Sequence, residues 1–322
     1  MTHTKARSTR EINADNHVSE SPDGIADVPE GFREIVPGDT SWLFNTFDAA
    51  GKRAWCYYGP FLTCYHLPPG RSVFVGTFES TTCLLTKTER KQVVYNFIVP
   101  PVPFDVDVTR RLIGEIEDRT GVYPRVQWCD AEDAERASDI GMVAQEKEKE
   151  YFYDPAKISA LEGSRYKELR KRIRRLDRDH SPVFRELGEA DIAGCHQLLN
   201  HWRKVQGRKH SFLLDWGYTR AALDRFSDWG VQDLGGWCLE VRGQLAAFAL
   251  AGRMASDQAC FFVAKADPDF SGISDFLRYR VYQALSGFRL VNDAGDLDLP
   301  GLRQHKRRFR PVELRPVYTL KR

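Results

Sequence analysis

The pattern of apolar and polar positions divides the chain into a β-rich first part and a mixed second part. Between about residues 40 and 100, short apolar runs are separated by the breakers Gly59-Pro60 and Pro68-Pro-Gly70, which favours strands. The predicted strands cover 54–58, 61–66, 72–75, 82–85 and 93–98. Apolar residues at helical spacing then predict a helix over 107–119, followed by a strand over 122–128 and a short helix over 131–138.

In the second half, a pair of helices precedes a three-stranded meander, a further helix and a last strand. The predicted helices cover 155–162, 164–178, 189–205, 219–229 and 274–285. The predicted strands cover 150–154, 182–187, 236–241, 245–253, 259–264 and 317–320. This order is typical of a GNAT-like (acyl-CoA N-acyltransferase-like) domain, so we expect an α+β protein with mixed, mostly antiparallel sheets. Fold alone does not determine chemistry.

Length and composition indicate two globular domains. The chain has 322 residues, of which 42% are hydrophobic, so a disordered or fibrous protein is excluded. We expect a flexible tail over residues 1–30, an N-terminal GNAT-like domain over 31–150 and a C-terminal catalytic domain over 151–322. No apolar run approaches the roughly 18 residues that a membrane span needs. The N-terminus also lacks the apolar core of a secretory signal, so a cytoplasmic protein is expected.

The cysteines and histidines give no sign of a metal site. The seven cysteines include no C-x-x-C pair, and most have apolar neighbours, so we expect reduced and mostly buried thiols. The eight histidines form no H-x-x-x-H pair. We therefore expect neither a metal nor a cofactor. The oligomeric state stays open.

Charge is distributed unevenly between the two halves. Residues 1–150 carry 17 basic and 24 acidic side chains, whereas residues 151–322 carry 30 and 21. A polyanion would therefore be attracted to the second half. Eight of the basic side chains lie within residues 165–178, beside only two acidic ones.

The spacing of these cations predicts an amphipathic helix with one basic face. Basic residues recur at three- and four-residue intervals, and an apolar stripe lies opposite them. The basic face consists of Lys167, Arg170, Lys171, Arg174, Arg175 and Arg178, which we call the basic ridge. Such a face is either solvated or a contact for a phosphate backbone. A second basic cluster at 303–310 favours the contact.

Three segments resemble the phosphatidylglycerol lysyltransferase C-terminal family. The first is Glu150-Tyr-Phe-Tyr-Asp154, followed by Leu161-x-Gly163 and the basic helix. The second is Phe262-Val-Ala-Lys-Ala-Asp267-Pro-Asp-Phe-Ser-Gly272. The third is Asp296-Leu-Asp-Leu-Pro-Gly301-Leu-Arg303-x-x-Lys306, with Pro311 beyond it. The similarity is best over about 150–311, and a weaker one extends back to about residue 40.

The resemblance implies two tandem GNAT-like domains and a donor that is aminoacyl-tRNA. Members of the family transfer an aminoacyl group from this donor to an acceptor, which is a lipid in the example that names the family. The chain departs from the family pattern at Ala264, where the family has Glu, and at Asp298, where it has Gly. Because the chain lacks the transmembrane region of the lipid-modifying enzymes, we expect a small-molecule or peptide acceptor that carries an amine or a hydroxyl.

The third segment supplies the first candidates for the site. Its match implies that Asp296 holds the α-ammonium of the aminoacyl group or positions the acceptor. Lys306 is a candidate to offset charge on the terminal phosphate or ribose oxygen. Arg303 has a planar fork suited to phosphate or carboxylate. Each of these side chains would otherwise be a surface or loop charge.

Four further residues are candidates elsewhere in the second half. Tyr151 and Tyr153 alternate along a predicted strand, so both face one side, where they stack on the terminal adenine or pack in a core. Lys265 follows a predicted strand and is either a catalytic cation or the partner of Asp267. Asp215 lies in a stretch that weakly resembles one in the lipid-modifying relatives.

Two other functions stay open. An acyl-CoA-dependent N-acyltransferase would need successive backbone N–H groups at a helix start to hold the pyrophosphate. The corresponding turn, from Asp267 to Ser274, has one glycine and two acids, which disfavours that reading. A noncatalytic module that binds RNA or a membrane surface is the third possibility, because Ala264 and Asp298 depart from the family pattern.

Overall fold

The structure is a computed structural model that describes residues 28–89, 92–207 and 214–322. The predicted tail over residues 1–30 lies almost wholly outside the described residues. The helices are α1 (Thr40–Ala49), α2 (Gly59–Tyr65), α3 (Val106–Thr120), α4 (Ala131–Glu135), α5 (Pro155–Ala160), α6 (Lys167–His180), α7 (Ile192–Gly207), α8 (Leu214–Asp224), α9 (Ile273–Ala284) and α10 (Pro300–Arg308). Short 3₁₀ turns join several of them.

Twelve strands of the described part of the chain form one continuous sheet. They are β1 (Phe32–Glu34), β2 (Ser72–Phe78), β3 (Thr81–Glu89), β4 (Val93–Phe97), β5 (Val126–Cys129), β6 (Val143–Tyr153), β7 (Val183–Glu186), β8 (Gly235–Val241), β9 (Gln244–Ala255), β10 (Gln258–Ala266), β11 (Leu290–Asn292) and β12 (Glu313–Lys321). Their order across the sheet is β1-β2-β3-β4-β5-β12-β6-β11-β10-β9-β8-β7. Within the described ranges, β4–β5 and β10–β11 pair in parallel and the other neighbours pair antiparallel. The predicted α+β fold with a mostly antiparallel sheet is confirmed.

The C-terminal strand joins the two halves of the sheet. β12 pairs antiparallel with β5 on one side and with β6 on the other. β6 in turn runs through the predicted boundary between residues 150 and 151. The last strand of the chain is therefore inserted between strands of the first half, so the backbone hydrogen bonds of the sheet continue across the predicted boundary.

Apolar packing also crosses that boundary. One hydrophobic core combines buried residues of α1, α2 and β2 with buried residues of α7, β9 and β10. A second core lies between the second half of the sheet and α5, α6 and α9, and a third lies under α3. The Tyr218 ring packs against the first core and stacks on Phe262 at a centroid distance of 5.4 Å.

The strands predicted over 54–58 and 61–66 are wrong. The first segment is a 3₁₀ turn over Trp55–Tyr57, and the second is α2. Gly59-Pro60 does not break an element but begins this helix, because proline at the first turn has no N–H to lose. Every residue from Gly59 to Cys64 is buried, so the segment shows none of the polar–apolar periodicity that reveals a helix.

The basic helix is confirmed as α6. Leu169, Ile173 and Leu176 are buried against the second core, as the apolar stripe predicts. The helix ends at His180, and Ser181 beyond it adopts a left-handed conformation with φ 43°. The cations opposite the stripe are described below.

Candidate active site

A strained loop between β11 and α10 carries the third family segment. Ala294, Leu297 and Asp298 all have positive φ, at 51°, 52° and 54°. A left-handed conformation costs a residue with a side chain about 1–2 kcal/mol. Loops of this kind persist only where surrounding contacts determine them, and they cluster at functional sites. The contacts that hold this loop come from the predicted site residues.

Asp296 is the most heavily hydrogen-bonded carboxylate of the loop. Its oxygens accept bonds from the Tyr151 hydroxyl (2.6 Å), from Arg303 Nε (2.8 Å) and Nη2 (3.3 Å), and from the Asp298 backbone N–H (3.0 Å). Burial opposes ionisation of this carboxyl, but the bonds from Arg303 and Tyr151 outweigh it and lower its pKa. Asp296 is therefore ionised and already occupied by donors of the protein.

Lys306 stabilises the same loop through its backbone carbonyls. Its ammonium donates to the backbone carbonyl of Asp293 and to that of Ala294 (3.2 Å), and it lies 3.6 Å from Asp293 Oδ1. The side chain is almost wholly enclosed, and this burial lowers the pKa of Lys306. Asp293 itself pairs with the buried Arg278. The predicted cation is thus part of the support of the loop.

Tyr151 and Tyr153 both lie in the second core, as their alternation along β6 predicts. The Tyr153 hydroxyl donates to the backbone carbonyl of Lys306 (2.9 Å), and its ring packs 5.3 Å from that of Tyr282. No part of Tyr153 is exposed. Tyr151 reaches Asp296, as described above. Both tyrosines connect β6 to the loop and α10, and neither offers a free ring face to an adenine.

Lys265 and Asp215 form a second group. The Lys265 ammonium donates to Asp215 Oδ2 and lies 4.0 Å from the centroid of the Trp202 ring. Its carboxylate partner is Asp215, and not Asp267 as the sequence suggested. Burial, together with the charges of Asp215 and Glu148, raises the pKa of Tyr218 well above its ordinary value.

The basic ridge is exposed along most of its length. Lys167, Lys171 and Arg174 are exposed, and no carboxylate among the described residues lies within 4.0 Å of their cationic nitrogens. Arg175 and Arg178 are exposed as well, and both pair with Asp179. Arg170 differs, because its guanidinium is half-buried.

Arg170 closes the turn that precedes the helix. Its Nη1 donates to the backbone carbonyls of Leu161 and Gly163, the latter at 2.8 Å. Leu161 and Gly163 belong to the first family segment and have positive φ. The structure therefore gives Arg170 a structural contact that the spacing on the ridge did not indicate.

A buried carboxylate on α9 holds the ridge helix beside α10. Asp275 accepts two bonds from Arg308 Nη1 (2.6 and 2.8 Å) and lies 3.1 Å from His305 Nδ1, both on α10. The same carboxylate lies 3.6 Å from Arg172 on α6. In addition, Arg310 Nε donates to the backbone carbonyl of Arg165 (3.2 Å). The second basic cluster therefore adjoins the basic ridge.

Two carboxylates of β6 were missed by the sequence analysis. Glu150 is buried and accepts bonds from the Trp55 N–H (3.0 Å) and Asn292 Nδ2 (2.6 Å), and burial raises its pKa to about 7. Glu148, two residues earlier on the same side of the strand, lies against the loop at Gly295. Acidic residues at 146, 148 and 150 alternate along β6, whose end is buried. This alternation is the sequence signal that could have identified Glu148 and Glu150.

Two surface cavities lie away from this loop. One, of about 410 Å³, lies at the N-terminal end of the basic ridge and is lined partly by Lys157, Arg165 and Tyr166. The other, of about 420 Å³, lies beside β1 and β2. Within residues 28–89, 92–207 and 214–322, no helix combines the length and apolar character that crossing a bilayer requires.

Comparison with known families connects this geometry to a class of protein. The sequence profile of the family described as "Phosphatidylglycerol lysyltransferase, C-terminal" matches residues 61–321. The chain belongs to this family. The match extends beyond the three segments into the first half, as the weaker similarity predicted, and it begins at residue 61. The family consists of aminoacyl and acyl transferases, so the prediction of an acyltransferase is confirmed.

Solved structures show the same fold. A conserved protein of unknown function from Bacteroides thetaiotaomicron superposes with a TM-score of 0.74 at 20% identity, covering 90% of this chain and 98% of that one. L-PGS from Bacillus licheniformis gives 0.63 at 17% identity, covering 88% and 92%. A tandem GNAT protein from the clavulanic acid biosynthesis pathway gives 0.50 at 11%, covering 89% and 97%. The tandem GNAT-like fold is therefore confirmed. No curated protein matches the chain.

The structure explains one departure from the family motif. Asp298 stands where the motif has glycine, and its φ of 54° is the conformation that glycine adopts at least cost. Aspartate is among the residues that tolerate this conformation, and its Oδ1 accepts a bond from Arg303 Nη2 at 2.8 Å. The loop keeps its shape without the glycine. Ala264, the other departure, is half-buried in β10 opposite Ala249.

Proposed function

We propose that the protein transfers an aminoacyl group from aminoacyl-tRNA to a small molecule or peptide that carries an amine or a hydroxyl. The observation that carries the proposal is the unpaired part of the basic ridge, Lys167, Lys171 and Arg174, on a helix anchored beside α10 through Asp275. Family membership supports the reaction class. With this donor, the protein would act in the cytoplasm, where charged tRNA is found.

The ridge suits a nucleic-acid backbone because its cations recur along a single exposed face. Phosphate contacts of this kind supply affinity without reading sequence. A donor bound along α6 would meet α10 next, since Asp275 contacts Arg172 of α6 and Arg308 of α10. α10 begins directly after the loop that Asp296 and Lys306 support. A tRNA bound along the basic ridge would therefore extend toward the loop between β11 and α10.

The reaction needs no covalent enzyme intermediate. The amine or hydroxyl of the acceptor attacks the ester carbonyl of the aminoacyl-tRNA, and the new bond forms as the bond to the ribose oxygen breaks. The acceptor loses a proton and the departing ribose oxygen gains one. Arg303 and Lys306 are paired with carboxylates of the loop, so in the reaction they would hold the loop in position beside the ester.

The structure offers no support for an acyl-CoA donor at the expected turn. Gly272, with φ 91°, caps the start of α9, but Asp267 and Asp269 lie on the turn before it. The Asp269 N–H is occupied by the Asp267 carboxylate at 3.0 Å. Two acids at this position would repel a pyrophosphate.

A transfer assay tests the proposal. tRNA charged with one labelled amino acid at a time is incubated with the protein and a panel of amine and hydroxyl compounds and short peptides. We expect a labelled product for at least one pair, and we expect its formation to stop after RNase treatment. Product formation that RNase leaves unchanged, or that requires an acyl-CoA, would refute the tRNA donor.

A further inference from the structure

Glu148 is a carboxylate of this region that has no direct ion pair. Among the described residues, no basic nitrogen lies within 4.0 Å of its oxygens, and Oε2 is enclosed without a hydrogen-bond partner. The charges of Lys306 and Lys147 and the Leu297 backbone N–H oppose the effect of burial on its pKa but do not outweigh it. The residue as a whole is partly exposed. Enclosing a carboxylate oxygen without a partner is costly.

The neighbouring carboxylates are all satisfied by the protein. Asp296 is held by Arg303 and Tyr151, Asp293 by Arg278 and Lys306, and Glu150 by two N–H donors. Asp296, predicted from the family match to receive the α-ammonium, has no oxygen left for that role. Glu148 has the free acceptor capacity that Asp296 lacks.

The charge of Glu148 suits a cation. A carboxylate that lacks a direct ion pair can accept charge-assisted hydrogen bonds from an ammonium group. Burial raises the pKa of Glu148 above its ordinary value, and a bound cation would oppose that shift.

We infer that Glu148 binds the protonated amino group of a substrate. This inference rests on the proposed function, because the amine belongs either to the aminoacyl group of the donor or to the acceptor. Gly295 positions the carboxylate: a Cβ at this residue would lie 1.6 Å from Glu148 Oε2, so any side chain there displaces the carboxylate. The absence of a side chain at Gly295 therefore leaves the space that the Glu148 carboxylate occupies.

Two variants test the charge of the Glu148 carboxylate and its position separately. Glu148→Gln removes the charge and nearly preserves the shape, while Gly295→Ala keeps the charge and moves it. Glu146→Gln on the same strand is the matched control, because Glu146 is exposed and its nearest cation, Lys149, lies 3.8 Å away. Melting temperatures establish that all variants fold. We expect Glu148→Gln to melt no lower than the wild type, since it removes an unpaired buried charge.

Filter binding measures three forms of tRNA: deacylated, charged with one labelled amino acid at a time, and charged and then N-acetylated. We expect the wild type to prefer charged over deacylated tRNA by about tenfold for at least one amino acid, the contribution of one charge-assisted hydrogen bond. Acetylation should abolish the preference. Both site variants should lose it while binding deacylated tRNA normally, and the control should keep it.

The outcomes distinguish the two sources of the amine. If the variants keep the preference but raise the KM for an amine acceptor about tenfold without raising it for a hydroxyl acceptor, the amine is that of the acceptor. If neither the preference nor the KM changes, the inference is wrong. If the wild type binds no form of tRNA, the proposed function fails, and the inference fails with it.

Discussion

Arg303 Nε lies 2.8 Å from Asp296 Oδ2, and Nη2 of the same guanidinium contacts Asp298 Oδ1 at 2.8 Å. A single planar side chain thus holds two carboxylates of a loop in which Leu297 and Asp298 are left-handed. The planar guanidinium contacts both carboxylates at once in a fixed geometry, which the single ammonium of a lysine cannot reproduce. Arg303 is therefore a support of the loop.

Replacing this fork by a single ammonium should impair the loop. We expect Arg303→Lys to lower the transfer rate about 10–100-fold, since about 1.4–2.8 kcal/mol of positioning is lost. Arg315→Lys is the control, because Arg315 also forms a fork, on the exposed Glu313 of β12 (2.8 and 2.7 Å). Steady-state rates should fall for the first variant only. Equal rates for both would show that the fork does not position the site.

Arg170 should matter more for stability than for tRNA binding. Its bonds to the carbonyls of Leu161 and Gly163 predict that Arg170→Ala lowers the free energy of unfolding by about 1–2 kcal/mol. Lys171→Ala, on the neighbouring exposed position, should change it by less than about 0.5 kcal/mol. Urea denaturation measures both values. An equal loss of unfolding free energy in the two variants would contradict the structural role of Arg170.

Position 298 should tolerate a glycine but not a valine. Asp298→Gly restores the residue of the family motif and relaxes a φ of 54°, so we expect activity and stability close to wild type. Asp298→Val places a β-branched residue in the left-handed region and should cost about 1–2 kcal/mol or more. Thermal unfolding of the two variants tests this. A stable valine variant would mean that the loop does not require the left-handed residue.

Glu150 should make stability depend on pH. Burial raises its pKa to about 7 from an ordinary value of 4.5, so the folded protein binds this proton more tightly than the unfolded chain. Its stabilising contribution is complete below pH 4.5 and is lost as the pH rises through about 7. The loss is on the order of 3 kcal/mol. Comparing the unfolding free energy of wild type and Glu150→Gln from pH 5 to pH 8 isolates this group. Parallel pH curves for the two proteins would contradict the assignment.

The fold was predictable where periodicity or turn residues mark an element. The apolar stripe of α6 was visible because its polar and apolar positions recur with the helical period. The meander β8–β10 was visible because its apolar runs are separated by turns, although β9 and β10 are buried on both faces. α2 was misread because it is buried on all sides. α10 was missed because its basic positions obscure the few apolar ones, although Pro300 marks its first turn.

The candidate site was predictable in its members but not in their contacts. Motif resemblance pointed to Asp296, Lys306 and Arg303, and the structure brings them together at one loop. Their partners include Tyr151 on β6, which is 145 residues from Asp296, so the motif did not indicate this contact. The Lys265–Asp215 pair likewise joins positions 50 residues apart. Spacing along a chain cannot reveal such contacts.

The central claim is that the basic ridge binds the tRNA of the donor. Its most direct test is the salt dependence of tRNA affinity for Lys171→Glu/Arg174→Glu, compared with Arg110→Glu/Arg119→Glu, which makes the same charge change on exposed positions of α3. For the ridge variant, we expect an affinity loss of at least about tenfold and a log–log salt slope shallower by about 2. The α3 variant should bind like the wild type. Equal affinity and slope in all three proteins would contradict the account.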